Sequence, residues 1–225
     1  MTLIDEILTD LKSLESEKNR AGMARFGIQV EHAYGVSVAN IRRLAKPYRH
    51  NHELALELWK TGIHEARILA AIIDDPKQVT PEQMDRWVQN FNSWDLCDQT
   101  CSLFDKTPHA VAKIKEWTTR EKEFEKRAGF ALLAELAWHS KTEPDQTFLD
   151  LLPLIEREAH DDRNYVKKAA NWALREIGKR SMRLHAEAIK LAQRLQTHDS
   201  KSARWIASDA LRELTAEKTL SRINK

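Results

Sequence analysis

Apolar residues recur along nearly the whole chain at intervals of three and four, and alternation with period two is hard to find. The pattern predicts helices, and it predicts them in pairs. A helix over 3–17 comes first, and a second begins near Ser37. Then 54–60 precedes 65–74, 81–90 precedes 94–104, and 109–118 precedes 122–139; 147–158 precedes 162–179, and 183–195 precedes 201–214. Breakers separate them: Asp75-Pro76, Asn92-Ser93, Thr107-Pro108, Glu143-Pro144 and Asp199-Ser200.

The second members of the pairs resemble one another. Ala173-Leu174-Arg175-Glu176 returns as Ala210-Leu211-Arg212-Glu213, and Lys126-Arg127-Ala128 returns loosely as Lys167-Lys168-Ala169. Paired helices at such a period predict an all-α, HEAT-like α-solenoid, whose units bury their apolar faces only against neighbours. One domain spanning 1–225 is expected, with N-terminal helices over 1–50, helix pairs over 51–215 and a basic tail over 216–225. The second helices of a solenoid line one concave face, so their outward residues are the candidates for binding.

Composition supports the helical reading. Gly and Pro number 6 each among 225 residues, too few for a fold built on hairpin turns. The N-terminus has neither a basic region nor a long apolar run, which predicts no signal peptide and no membrane span. Cys97 and Cys101 stand one helical turn apart, where a disulfide constrains almost nothing; they read as reduced thiols of a cytoplasmic protein. No Walker loop, GxGxxG, Gly-x-Ser-x-Gly or metal-ligand spacing occurs, so neither cofactor nor metal is expected. A net charge of +2 does not by itself suggest nucleic acid, and the distribution carries more.

Over 162–179 the distribution is sharp. At about 100° per residue, Val166, Ala170, Ala173, Leu174 and Ile177 form one stripe, and Lys168, Trp172, Arg175 and Lys179 fall on roughly the opposite side. A structural tryptophan belongs in the first set; Trp172 stands among cations. Other second helices offer Arg67, Trp94 followed one turn later by Asp98, Arg127, and the group Arg204, Trp205 and Arg212. A line of cations and tryptophans with a carboxylate near its centre suits an anionic ligand with flat apolar parts, and duplex DNA fits that description. Duller readings stand beside this one. Trp94 reads equally as a core cap, Asp98 taken alone reads better as the ion-pair partner of Arg127, and Lys168 and Arg175 read as solvated charges.

The stretch from Ser93-Trp94-Asp95-Leu96-Cys97-Asp98, through Lys126-Arg127-Ala128, to Lys167-Lys168-Ala169-Ala170-Asn171-Trp172-Ala173-Leu174-Arg175-Glu176 resembles the AlkD family of HEAT-like DNA glycosylases. Met23-Ala24-Arg25-Phe26, and Gly35-Val36-Ser37 through Arg42-Arg43-Leu44, fit the same family. The resemblance implies excision of cationic N3- and N7-alkylated purines from double-stranded DNA, without classical base flipping. It assigns Trp94 to the side of the lesion, Asp98 as the essential carboxylate, Arg127 to the phosphate backbone, and Trp172 to the cleft, with Arg175 matching the family's arginine three residues after it. Phe26 stands where better-known members carry a tyrosine, and Ser93-Trp94 replaces a tryptophan doublet; both bear on substrate preference.

The expected catalytic set is therefore Asp98, Trp94 and Trp172. The expected DNA contacts are Arg127, Lys168, Arg175, Arg67, Lys179, Phe26 and Arg43. A monomeric enzyme acting on alkylated duplex DNA ranks first. A non-catalytic relative binding distorted or branched DNA by shape ranks second. A scaffold for an acidic helix ranks third, because a central acid opposes an acidic partner.

Overall fold

The computed structural model describes residues 2–223, and every regular element among them is helical. Helix α1 (Leu3–Ser13) ends short of the first helix expected over 3–17, and a further helix, α2 (Glu17–Arg25), follows it where none was expected. Ser16 divides them: its backbone is extended and its hydroxyl accepts from the Asn19 N–H, which starts a new helix. Helix α3 (Val38–Ala45) begins at Ser37, whose hydroxyl accepts from the Asn40 N–H. The pairs follow as α4 (His52–Lys60) with α5 (His64–Ile73), α6 (Pro81–Val88) with α7 (Trp94–Phe104), and α8 (Ala110–Trp117) with α9 (Glu123–His139). Then come α10 (Asp145–Glu158) with α11 (Asn164–Gly178), α12 (Met182–Gln196) with α13 (Lys201–Leu214), and a short α14 (Glu217–Ile223). Helix α14 occupies most of the expected basic tail, of which 224–225 lie outside the described residues. Among the described residues no helix is long and apolar enough to cross a membrane.

The helices gather into two compact units, 1–107 and 108–225. In the first, side chains link successive repeats at an offset of 31 residues: Trp59 Nε1 donates to Asn90 Oδ1 at 3.0 Å, and His64 Nε2 lies 2.8 Å from Asp95 Oδ2. The Glu65 carboxylate, fully buried, accepts from the backbone N–H groups of Tyr34, Gly35 and Val36 at 2.9, 2.6 and 3.1 Å. It thereby fixes the segment that leads into α3. Gly35 is required there, since its φ is +78° and a Cβ would stand 2.4 Å from the Ser16 carbonyl oxygen. Trp59 and Trp87 stack with ring centroids 3.9 Å apart, a pair that adds specific geometry to its buried area.

In the second unit the repeat offset is 38. Arg127 Nη1 donates to the Tyr165 carbonyl at 2.8 Å, Asn171 Nδ2 to Asp209 at 2.8 Å, and Arg194 Nε to Glu156 at 2.8 Å. Helix α9 is buried on almost every side, with Phe130, Ala131, Leu132, Leu133 and Ala134 fully covered. Gly129 lets α8 approach it, because a Cβ there would lie 2.6 Å from the Thr118 backbone nitrogen. Arg180 satisfies the end of α9 by donating Nη1 to the carbonyls of Ala137 and Ser140 at 2.6 and 2.7 Å. Its guanidinium covers the Phe148 ring at 4.2 Å, and burial lowers its pKa.

Candidate nucleic-acid interface

Helix α7 carries the residues of greatest chemical interest in the first unit. Leu96, Cys97, Thr100, Cys101, Leu103 and Phe104 are buried, which leaves Trp94, Asp98 and Ser102 as an outward stripe at intervals of four, with Asp95 and Gln99 beside it. Both cysteines are free thiols. Trp94 is half-buried, and its indole N–H donates to the Phe26 carbonyl at 3.1 Å. That bond ties the start of α7 to the end of α2 and fixes the ring. The Phe26 side chain itself is 72% exposed, so the position contributes an open aromatic surface as well as an acceptor.

Beside Trp94 lies a concavity of 490 Å³, walled by α2, α3, α5 and α7 and including Met23, Val36, Ile68 and Trp94. That volume falls in the range of about 300–1,000 Å³ typical of small-ligand sites. His64 and Asp95 form its polar corner. Burial works to raise the Asp95 pKa, but the hydrogen bond and charge of His64, helped by Ser93 and the Leu96 N–H, outweigh it and hold the carboxyl below its ordinary value. The Glu65-bound segment contributes to the wall through Gly35 and Val36, and Ser37 follows them. Sequence reasoning passed over Glu65 and the His64–Asp95 pair. Nothing in the local spelling separates a buried carboxylate from a solvated one, although the pair does stand at the repeat interval of 31.

The other expected residues divide into two groups. Arg43 and Lys168 are exposed, and neither has a carboxylate partner among the described residues. Trp172 is half-exposed one turn beyond Lys168, while Val166, Ala170, Ala173, Leu174 and Ile177 bury the opposite face without it. The helix is therefore divided as its sequence predicts. The remaining cations are engaged inside the protein. Arg67 lies over the Trp59 ring at 5.5 Å with Nε 3.4 Å from the Trp59 carbonyl, and burial lowers its pKa. Arg127 is 5% exposed, holding the start of α11. Arg175 Nε donates to Asn171 at 2.7 Å and its Nη1 pairs with Glu213; Lys179 reaches Glu176 at 2.6 Å and Glu213 at 2.8 Å. Arg204, also on the tryptophan-bearing face, spends Nη1 on the carbonyls of His198 and Asp199 at 2.7 and 2.8 Å. Trp205 remains 40% exposed with Lys167 Nζ 5.6 Å from its ring centroid.

Comparison with known proteins places this geometry in context. The chain is 24% identical over 198 residues to the uncharacterized protein Lin0241 of Listeria innocua, covering 86% of each chain. A solved structure matches with a TM-score of 0.78 at 22% identity, over 93% of this chain and 94% of the other. It is described as a new family of proteins related to the HEAT-like repeat DNA glycosylases with affinity for branched DNA structures, and it supports the HEAT-like, all-α fold of helix pairs for this chain. The family described as DNA alkylation repair enzyme matches residues 7–214. With that match spanning nearly all of its helices, the chain belongs to the DNA alkylation repair family.

Proposed function

We propose that the protein is a monofunctional DNA glycosylase that removes cationic N3- or N7-alkylated purines from double-stranded DNA. The observation that carries this reading is the pairing on α7: Trp94, locked by the Phe26 carbonyl, with Asp98 one turn further along the same half-exposed face. An alkylated purine already bears positive charge and leaves without protonation. The protein then has two tasks, to stabilise the deoxyribose as C1′ gains oxocarbenium character and to supply water. Asp98 as carboxylate performs the first electrostatically and orients or deprotonates the water. The indole of Trp94 packs on the sugar and favours its growing charge, and Trp172 offers a second flat apolar surface to the DNA. The exposed Lys168 and Arg43 meet phosphates and set the register of the strand. Arg175 and Lys179 join them on exchanging Glu213 for the DNA backbone. Arg127 and Arg67 act by holding their helices in place.

A second reading, binding of branched DNA by shape without base release, is favoured by the affinity of the structural neighbour and by the internal engagement of several cleft cations. Single-turnover release of 7-methylguanine separates the two, with anisotropy on linear and branched duplexes as the companion measurement. Wild type is expected to release the base, and Asp98→Asn to do so at least ~100-fold more slowly while binding DNA nearly as well. Equal release by both would remove Asp98 from the mechanism. No release by either, with tighter binding to branched than to linear DNA, would establish the second reading.

A further inference from the structure

At the far end of α7 from Trp94, the first unit has a second concavity, of 250 Å³, whose wall includes Arg42, Arg49, His50, Gln99, Ser102 and Lys106. We propose that it binds a backbone phosphate of DNA. The inference rests on the DNA-binding part of the reading above, and it is independent of base excision. No carboxylate pairs with Arg42, Arg49 or Lys106 among the described residues, although ion pairs occupy many of the chain's other cations. Arg42 is instead oriented by a neutral group, the Gln99 amide oxygen at 3.3 Å. Asp74 also lines the wall, but its oxygens are engaged by His52 at 2.7 Å, the Asp75 N–H at 2.7 Å and Gln83 at 2.6 Å, and its side chain is fully buried.

The backbone gives a separate indication. His50 has a φ of +61°, the one non-glycine residue in the left-handed region among those described. For a residue with a side chain this conformation is strained, and residues so held cluster at ligand sites. Here it turns the chain between the Lys46–Tyr48 turn and α4, so that Arg49 and His50 border the concavity. The volume is below the ~300 Å³ at which small-ligand sites begin, but it is ample for one phosphate group, and two guanidinium forks with an ammonium suit that anion. Geometry also suits a strand that reaches Trp94. Ser102, which lines the concavity, stands eight residues beyond Trp94 on α7, a distance of about 12 Å along the helix axis or roughly three to four base-pair steps of B-form DNA.

The test is equilibrium binding of an undamaged duplex by fluorescence anisotropy over a salt series. It compares wild type with Arg42→Gln/Arg49→Gln/Lys106→Gln and with Lys106→Gln alone, whose exposed side chain is expendable for folding. A control, Lys12→Gln/Lys77→Gln/Lys115→Gln, removes the same charge from exposed positions lining neither concavity. Loss of one phosphate contact lowers the magnitude of the log K against log salt slope by about 0.9, so the pocket variant's deficit shrinks roughly three- to fourfold between about 50 and 200 mM salt. Lys106→Gln is expected to weaken binding in the same direction, and the control to keep the wild-type slope. An unchanged slope in both pocket variants, or an equal change in the control, overturns the proposal. So does stabilisation of wild type, but not of the pocket variants, by inorganic phosphate alone with DNA binding unaffected, which would assign the pocket to a free anion.

Discussion

Residues 1–107 and 108–225 join their helices by different chemistry. In the first unit the links are mostly neutral or acceptor-led: an indole on an amide, a histidine on an aspartate, and one buried glutamate holding three backbone N–H groups. The second unit spends cations. Lys126 is tied to Glu158 and Asp161, Arg163 to Asp161, Arg194 to Glu156, and Arg175 with Lys179 to Glu213. Basic residues counted along the sequence are thus not equivalent. Arg42, Arg43, Arg49 and Lys106 face solvent without carboxylates among the described residues, while most cations just named must exchange a partner before meeting DNA. A net charge of +2 conceals that asymmetry.

The contrast breaks most visibly at Glu65. Glu65→Ala leaves three N–H groups of the segment 34–36 without their acceptor. At about 1–3 kcal/mol for each buried unsatisfied group, and with water entering to offset part of the loss, the expected cost is about 3–5 kcal/mol. Chemical denaturation gives the magnitude and hydrogen exchange its location. Protection should fall in α3 and α5, and α9 and α11 should keep theirs. A uniform loss across both units would show that Glu65 serves the whole chain and not its own repeat.

How much of this could be read in advance follows from the same chemistry. The five helix pairs lie within two residues of their sequence-predicted bounds, because period and breakers encode them locally. The α1–α2 break at Ser16 was missed: a serine cap within a charged stretch looks like helix interior until its hydroxyl is seen on the Asn19 N–H. The burial of one face of α11 was legible, and so was the separation of Trp172 from it. The fate of its cations was not, since Arg175 and Lys179 meet Glu213 across 38 and 34 residues. Phe26 drew notice for its missing hydroxyl, whereas the structural contribution comes from its backbone carbonyl, an atom common to all residues.

A smaller effect sharpens the comparison of free and engaged cations. Glu213→Gln removes the shared partner of Arg175 and Lys179. The cluster is a third exposed, so the stability cost is within about 1 kcal/mol. With that charge gone and only Glu176 beside Lys179 and Asp209 near Arg175, the two cations are expected to tighten duplex binding about two- to fivefold at low salt and to steepen its salt dependence. Anisotropy at two salt concentrations measures both. Unchanged affinity and slope would mean that these side chains stay away from phosphate even when released.

The smallest effect is the order in which the units yield to acid. In the second unit the Glu158, Asp161 and Glu213 carboxyls lie below their ordinary values: burial works to raise each, and hydrogen bonds and charge from Lys126, Arg157, Arg163, Lys179 and Arg175 outweigh it. A depressed folded pKa gives stabilisation that is complete above the unfolded value, 4.5 for Glu and 3.8 for Asp, and is lost as pH falls through the lower folded value. Asp95 behaves in the same sense in the first unit. Asp74 opposes it, because burial outweighs the bonds from His52 and Gln83 and raises its pKa. A raised carboxyl favours the folded state progressively as pH falls through that raised value toward 3.8, so it offsets part of the loss in its own unit. Pepsin works in this range and reads local opening directly. Its first cuts below about pH 4.5 are expected within α10–α13, with the first unit following at lower pH. Earlier cuts in α4–α7 would mean that the ion pairs of the second unit contribute less to holding it closed than the links of the first unit, Asp95–His64 among them, do there.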